Sequence, residues 1–233
     1  MGYAKNREIE MHNAEMEKEA KIYYKDFINE DWVRMGEHLP ENYNWRQFKF
    51  FKTDEENRCI KIKKIISALS DLRMELLKFE PQHAYISVAR FLNPHAVGQK
   101  PRNFYKPGYM FSQNLFLGAD LVVDIDTKEK GNLEKILNKL QENFKKIKTY
   151  ETKRGYHVWV NDFQDYINKI KEYENPFLRE TFNRSMRIMA LGEMQIEGMK
   201  FDYHSSIDTR RVVRIPYSIY NNEFIIAELK KGE

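Results

Sequence analysis

Cysteine is almost absent from this chain of 233 residues, which contains Cys59 and no other thiol. A single cysteine excludes an internal disulfide and any zinc site that is built from several cysteines. Free thiols persist in reducing compartments, so we expect a cytoplasmic, intracellular protein.

Long apolar runs are missing as well. No stretch approaches the roughly 20 apolar residues that cross a bilayer, and the N-terminus is dense in charge where a secretion leader would be apolar. Apolar residues nevertheless make up 42% of the chain and aromatic residues 14%, which is typical of a folded protein and not of a disordered one. We therefore expect a soluble protein with a hydrophobic core and no membrane partner.

The chain also lacks glycine/serine linkers, internal repeats and low-complexity segments. Its charged N-terminal region shows loose helical periodicity from about residue 5 to residue 36, and Pro40 ends that region. The sequence therefore predicts an N-terminal helical segment, residues 1–40, that packs on a single domain formed by residues 41–233.

Hydrophobic periodicity and turn residues predict intermixed helices and strands in that domain, which indicates an α+β fold with a mixed sheet. The predicted elements are a helix over 61–79, a strand over 83–91, a long loop over 92–110, a helix capped by Asn132, a hairpin with the turn TKRG at 152–155, a helix that begins at Asn175 and Pro176, and extended structure over 210–220. In the second hairpin strand, YHVWV, alternation places His157 and Trp159 on one face and the other three residues on the opposite face.

Two acids end an apolar strand in the segment GADLVVDID, where Asp124 and Asp126 are separated by one residue. Side chains of a strand alternate, so both carboxylates project to the same face. Like charges this close repel unless a cation lies between them, and oxygen ligands favour Mg²⁺ or Mn²⁺ over zinc. A pair of metal ions would need a third acid from another strand. The same pattern also fits acids that only face water, and it occurs in glycosyltransferases.

Positive charge collects beside these acids. From Thr127 to Arg154 the chain carries nine lysines and arginines against four glutamates. A solvated helix face explains most of this excess, and phosphate binding is the alternative. For Lys145, Lys146 and Lys148, the alternatives are a solvated face and contact with template phosphates.

Five stretches, in the same order along the chain, resemble the small catalytic subunit of archaeal and eukaryotic DNA primases. They are WRQFKFFKTDEENR, QHAYISVARFLNP, LGADLVVDID, KRGYHVWV and FDYHSSIDTRRVVRIPYSIY. The resemblance covers most of the chain from about residue 23 to residue 226. It implies the primase fold, with a β-sheet catalytic core and flanking helices.

The resemblance also implies roles for individual residues. Asp124 and Asp126 match the first metal motif, and spacing to Arg214 makes Asp202 the third metal ligand, although Asp208 is the alternative. His157 matches the histidine of the second motif and is implied to be catalytic and to contact the nucleotide. The remaining implied nucleotide contacts are Arg58, Lys153, Arg154, Arg214 and Ser218.

Two departures from the family pattern change what is expected. Primases of this family usually carry a zinc-binding insertion between the first and second motifs, whereas this interval holds one lysine-rich helix with neither cysteine nor histidine. We therefore expect a minimal version without zinc. Tyr220 stands where the family commonly has a histidine. Extension of an existing nucleic-acid strand is therefore a firmer expectation than initiation of a new one.

The implied activity is two-metal, template-directed synthesis or extension of a primer on single-stranded DNA, with Mg²⁺ or Mn²⁺ as cofactor. The implied partners are the DNA template, nucleoside triphosphates and a large primase subunit. Two alternatives remain open: a repair or end-joining primase-polymerase of the same superfamily, and a catalytically silent paralogue that binds nucleotide or nucleic acid.

Overall fold

A computed structural model describes residues 45–54, 56, 58–66, 69–91, 115–170, 174–216, 218–220, 224–225 and 227–229. The predicted N-terminal helical segment and the predicted loop over 92–110 lie outside these residues. None of the helices in the described part of the chain combines the length and apolar character needed to cross a bilayer.

The described elements follow one another as strands and helices in mixed order. The strands are β1 (Arg46–Thr53), β2 (Cys59–Ile66), β3 (His83–Ser87), β4 (Ala89–Phe91), β5 (Phe116–Ala119), β6 (Leu121–Ile125), β7 (Ile147–Glu151), β8 (Tyr156–Val160), β9 (Val212–Arg214), β10 (Ile219–Tyr220), β11 (Phe224–Ile225) and β12 (Ala227–Glu228). The helices are α1 (Leu69–Phe79), α2 (Lys130–Gln141), α3 (Phe163–Ile170), α4 (Pro176–Ile196) and α5 (Tyr203–Ile207).

Two four-stranded sheets organise the fold. The first sheet has the strand order β2-β1-β3-β9 and the second has the order β12-β7-β8-β6, while β4-β5 and β10-β11 form short pairs. Strand pairing among the described residues is antiparallel throughout, which differs from the mixed sheet that the sequence suggests. The expected α+β class is confirmed.

Apolar residues form two cores, one on each face of the second sheet. The first core joins the buried face of the first sheet to α1 and includes Tyr150 and Trp159 from the second sheet. The second core joins the opposite face of the second sheet, with Tyr156, Val158 and Val160, to the helices. The alternation predicted for YHVWV is therefore confirmed, and it directs His157 to the side opposite the second core.

Two predicted elements differ from the structure. Residues 61–66 belong to β2 and not to a helix, because the β-branched Ile60 and Ile62 alternate with lysines and pair along the whole of β1. Asn132 does not cap α2, whose N-cap residue is Glu129. The side-chain amide of Asn132 instead exchanges two hydrogen bonds of 2.8 Å with the backbone of Lys200.

The helix predicted to begin at Asn175 and Pro176 is confirmed. The Asn175 side chain accepts a hydrogen bond of 2.9 Å from the backbone N–H of Phe177, and Pro176 occupies the first helical position, where no donor is lost. This helix, α4, packs on β5 and α5 and so supports the end of β6 that carries the acids.

Candidate active site

A cleft of about 240 Å³ opens where β6, the β7–β8 hairpin and β9 meet. The residues that line it are Asp124, Asp126, Thr152, Lys153, Arg154, His157 and Arg214. Six of them are residues that the sequence singles out, and they come from three separate segments of the chain. The cleft thus brings the acid pair and the predicted phosphate-binding cations together.

Asp124 lies opposite His157 in the β6–β8 pairing, since the two residues are cross-strand partners. Its carboxylate is 3.4 Å from Nε2 of His157 and 3.7 Å from Nη1 of Arg211. Burial by itself would raise the pKa of Asp124, but His157 and Arg211 outweigh it, so the pKa lies below its usual value. Asp124 is therefore held as a carboxylate.

Asp126 behaves in the opposite way. Partial burial raises the pKa of its carboxyl group, and the negative charges of Asp124 and Asp202 raise it further. Arg154 and His157 act against this rise without cancelling it. The three acids therefore repel one another across the cleft, which is the electrostatic situation that a bound cation would relieve.

Asp202 is brought to the acid pair by the backbone and by a helix start. Its N–H donates a hydrogen bond of 2.7 Å to the carbonyl oxygen of Asp124. Its Oδ1 accepts a hydrogen bond of 2.9 Å from the backbone N–H of Ser205, so Asp202 caps α5. One carboxylate oxygen is used in this cap, while the side chain as a whole is exposed.

The lysine and arginine of the hairpin are held by a tight turn between β7 and β8. The Thr152 backbone and hydroxyl both bond to Gly155, at 2.9 Å and 3.0 Å, which closes the turn around Lys153 and Arg154. A Cβ atom on Gly155 would lie 1.7 Å from the carbonyl oxygen of Ile125. Only glycine allows the hairpin to approach the end of β6 this closely.

Replacing Gly155 with alanine should therefore destabilise the protein and displace the hairpin from the acids. We expect a loss of about 1–3 kcal/mol in the free energy of unfolding, because neither backbone can give way freely. Urea denaturation measures this loss. Gly131→Ala is the matched control, since nothing lies within 4 Å of its Cβ position in α2, and it should hold or raise stability. Equal effects at both glycines would contradict the close approach.

A buried network of hydrogen bonds, which the sequence did not reveal, holds the backbone of the segments that carry the acids. Arg187 of α4 is fully buried and donates hydrogen bonds to the carbonyl oxygens of Asp120, at 2.6 Å, and Ser206, at 3.2 Å. The Ser206 hydroxyl in turn accepts a bond of 3.1 Å from the N–H of Asp124 and donates one of 2.6 Å to the carbonyl oxygen of Asp202. Arg187 thus fixes α5 against β6.

Burial, and secondarily the charge of Arg211, lowers the pKa of Arg187 to about 9. Arg211 is itself buried and donates a hydrogen bond of 2.6 Å to the Ser205 hydroxyl. The sequence offered one signal for this residue, the basic segment RRVVRIP, but that signal pointed to Arg214. The two arginines therefore occupy different places: Arg211 contacts the carboxylate of Asp124, and Arg214 lines the cleft.

Arg214 is oriented by two residues of β3. Its guanidinium lies 5.0 Å from the ring centre of Tyr85, its cross-strand partner, and 3.4 Å from Nδ1 of His83. Burial and then the charge of Arg214 lower the pKa of His83 to about 4, so His83 is neutral at physiological pH.

Asp202 is not among the residues that line the cleft, and three further predicted residues also lie away from the lining. Arg58 is in the β1–β2 turn, where it forms ion pairs with Asp54 at 2.8 Å and Glu56 at 2.9 Å. The Ser218 hydroxyl is buried and donates a bond of 2.6 Å to the carbonyl oxygen of Ile215. Asp208, the alternative third acid, ends α5 and lies 3.8 Å from Arg184.

Within the described ranges, no three carboxylate, histidine or cysteine side chains converge as a preassembled metal cluster. The donors nevertheless suit a hard divalent cation, since two carboxylates line the cleft and a third acts on Asp126. Burial, and then the negative charges of Asp124 and Asp202, raise the pKa of Asp126. The residues therefore fit a divalent ion that binds with additional oxygen ligands, such as those of a phosphate.

Comparisons with known proteins give one relative in sequence and one in structure. No model of a known protein family matches the chain. The DNA primase small subunit PriS of Sulfolobus acidocaldarius is 25% identical over 226 aligned residues, which cover 78% of this chain and 67% of that protein. The polymerase domain of Mycobacterium tuberculosis ligase D, solved in complex with DNA, superposes with a TM-score of 0.55 at 10% identity, over 89% of this chain and 80% of that one. The chain is thus similar in sequence to an archaeal primase small subunit and has the α+β fold of a polymerase domain.

Proposed function

We propose that this protein is a DNA-directed nucleotidyltransferase of the primase-polymerase type, which adds nucleotides to a 3′-hydroxyl along a single-stranded DNA template. The observation that carries the proposal is the single cleft in which Asp124 and Asp126 face Lys153, Arg154 and Arg214. Acids beside cations suit a reaction in which a triphosphate must be bound and the charge on its reacting phosphate balanced.

The cations divide into two groups around the acids. Lys153 and Arg154 come from the hairpin on one side, and Arg214 comes from β9 of the other sheet. In the proposed role they bind the phosphates of the incoming nucleotide, with each arginine able to contact two oxygens through its planar guanidinium. Arg58 and Ser218, which lie elsewhere, are not needed for this role.

Mg²⁺ or Mn²⁺ would be held by Asp124 and Asp126, with Asp202 as the third acid. When bound, such ions lower the pKa of the attacking hydroxyl and neutralise charge on the leaving pyrophosphate. His157 keeps Asp124 in position through its Nε2 contact, and the low pKa of Asp124 keeps this ligand ionised. We propose no zinc site for this chain.

The direct test measures template-dependent incorporation by the purified protein. Labelled nucleotides and Mg²⁺ or Mn²⁺ are supplied with primed, unprimed and overhanging DNA templates of the same sequence. We expect products whose sequence follows the template on the primed substrate. Absence of product on every template, with nucleotide or DNA still bound, would overturn the proposal in favour of a silent binding protein.

A repair or end-joining role is the second candidate, favoured by the structural similarity to the polymerase domain of ligase D. It predicts preferential extension of gapped or overhanging ends over long primed templates. Product on unprimed DNA would instead favour a primase role. The similarity to a primase small subunit supports a further proposal, a complex with a large primase subunit, which co-purification of the two chains would test.

Removing the hairpin cations should weaken nucleotide binding more than it slows the chemical step. We expect Lys153→Ala/Arg154→Ala to raise the KM for nucleotide at least about a hundred-fold, because each of the two lost side chains contributes a charged hydrogen bond of about 1.5–3 kcal/mol and about 1.4 kcal/mol is tenfold. Steady-state kinetics at varied nucleotide concentration measure this. Lys135→Ala on the exposed side of α2 is the control. An unchanged KM in the double variant would remove the hairpin from the nucleotide site.

A further inference from the structure

The first sheet has one face that does not enter the first core. The residues on this outer face are Gln47, Lys49, Phe51 and Thr53 of β1, Cys59, Lys61 and Lys63 of β2, His83 and Tyr85 of β3, and Val212 and Arg214 of β9. They alternate with buried residues such as Phe48, Phe50 and Val213. Four of these outer-face side chains are cationic and none is acidic, so the described strand residues of this face carry charge of one sign.

The cations are cross-strand neighbours. Lys49 is directly opposite Lys63 on one side and Tyr85 on the other, and Tyr85 is directly opposite Arg214. Like charges directly opposite each other destabilise a sheet. Burial, and then the positive charges of Lys61 and Lys63, lower the pKa of Lys49. The positive charges of this face therefore lie close enough together for one anionic partner to contact several of them.

A row of these cross-strand neighbours extends from the outer face to the cleft. It runs Lys63, Lys49, Tyr85, Arg214 across four adjacent strands that are about 4.8 Å apart. Arg214 is the end of the row and also lines the cleft beside the acids. A polyanion that occupies the cleft can therefore continue onto the outer face without crossing a negatively charged strand residue.

Two aromatic rings lie between the cations. Phe51 packs edge-on against Tyr85 with ring centres 5.6 Å apart, and Lys61 Nζ is 5.0 Å from the centre of the Phe51 ring. Basic residues interleaved with aromatic ones are typical of surfaces that follow a single strand, where cations contact phosphates and rings contact bases. An acidic peptide would use the cations but not the rings.

We propose that the outer face of the first sheet, with Lys49, Lys61, Lys63, Phe51 and Tyr85, binds the single-stranded DNA template as it passes the cleft at Arg214. This inference rests on the proposed function for the identity of the strand. The inference adds the protein surface along which the DNA template runs. This surface is not the one formed by the lysines at 145–148, which the sequence offered as a candidate for contact with template phosphates. Lys145 and Lys146 precede β7 and lie at the end of that strand away from the cleft hairpin.

Cys59 allows a direct test, because it is the only cysteine of the chain and is exposed on the outer face, opposite Thr53. Primed templates would carry a thiol tether at one nucleotide at a time, counted from the primer terminus, and disulfide cross-linking to the full-length protein would be measured. We expect the yield to peak at one or two neighbouring single-stranded template positions and to vanish in Cys59→Ser. A flat profile would overturn the proposal.

Charge removal gives a second, independent readout. Lys49→Gln/Lys61→Gln/Lys63→Gln should reduce the log–log salt slope of template binding by about 2, since each phosphate contact on a single strand contributes about 0.7. Thermal unfolding of this variant checks that it is still folded. The matched triple variant Lys145→Gln/Lys146→Gln/Lys148→Gln should leave the slope unchanged. The reverse result would assign the template to the 145–148 lysines and overturn the proposal.

Other outcomes separate this inference from the proposed function. Incorporation by the wild-type protein together with a flat cross-linking profile would overturn the inference alone. A cross-linking peak without incorporation on any substrate would uphold the surface and remove the enzymatic role. Equal loss of polyglutamate and DNA binding in the lysine variant, or stronger cross-linking to an RNA of the same sequence, would overturn the assignment to DNA.

Discussion

Nucleotide incorporation should fall at least about a thousand-fold when Asp124 is replaced by asparagine, because the variant loses the carboxylate that, in the proposed function, holds a divalent cation beside the triphosphate. The amide is nearly isosteric, so the β6–β8 pairing with His157 is retained. Asp126→Asn should reduce incorporation to a similar degree. Single-turnover incorporation on a primed template measures both losses, and Glu134→Gln, an exposed acid on α2, is the control.

The two variants should differ in stability, and this difference separates catalysis from folding. The folded-state pKa of Asp124 is lowered, so its ionised form stabilises the protein at neutral pH and this contribution is lost as the pH falls through that pKa. Asp124→Asn should therefore be less stable than the wild type at pH 7, with the gap closing in acid. The pKa of Asp126 is raised, so Asp126→Asn should not destabilise.

Thermal unfolding over a range of pH measures these differences in stability between each variant and the wild type. Loss of activity in Asp124→Asn with full activity in Asp126→Asn would show that the pair does not act together on one cation. Destabilisation by Asp126→Asn would contradict the repulsion among the three acids. Retained activity in both variants would remove the acids from the reaction.

Replacing Asp120 with alanine should have the largest effect on stability, about 3–5 kcal/mol, because it leaves a buried guanidinium without its carboxylate. Asp120 is 2.6 Å from Arg46 and both side chains are 0% exposed, while Arg90 lies 3.7 Å away. Arg46 also donates bonds of 2.9 Å and 3.2 Å to the carbonyl oxygens of Ser87 and Val88, so this cluster fastens β1 to the segments before β4 and β6.

A double-mutant cycle separates the interaction energy between Arg46 and Asp120 from the effects of the two individual substitutions. Arg46→Met/Asp120→Ala should be more stable than the sum of the single losses predicts, by about 0.5–3 kcal/mol, although Arg90 remains buried and limits the rescue. The exposed Arg58–Glu56 pair is the matched comparison, since its side chains are 68% and 70% exposed, and Glu56→Ala should change stability by less than about 0.5 kcal/mol. Additive losses at Arg46 and Asp120 would contradict the buried pair.

Local features of the fold could be predicted because their causes are local. The alternation of YHVWV, the TKRG turn and the start of α4 depend on side-chain period, on turn residues and on a cap, all of which are visible within a few residues. The helix predicted for residues 61–66 is wrong because the isoleucines at 62, 65 and 66 also fit a helical period. Pairing with β1, which no local pattern reveals, decides in favour of a strand.

The candidate site divides in the same way. The acid pair, Gly155 and His157 follow from short motifs, and the cleft contains both acids and His157. Arg58 and Ser218 share motif positions with nucleotide contacts of the family but lie outside the cleft lining, because ion pairs in the β1–β2 turn and a buried backbone bond hold them elsewhere. Arg46, Asp120, Arg187 and Ser206 gave no catalytic signal, since a polar residue that will be buried looks like a surface residue in a sequence.

The sequence by itself determined the composition of the candidate site: two carboxylates separated by one residue at the end of an apolar strand, and a basic turn that precedes a histidine. The resemblance favoured Asp202 and Arg214, and the tertiary structure alone shows how these two residues come close to the pair. Asp202 reaches the pair through a backbone bond to Asp124 across 78 residues of chain, and Arg214 reaches it through pairing of β9 with β3. Such meetings depend on how buried surfaces of distant segments fit together, which no spacing along one strand encodes.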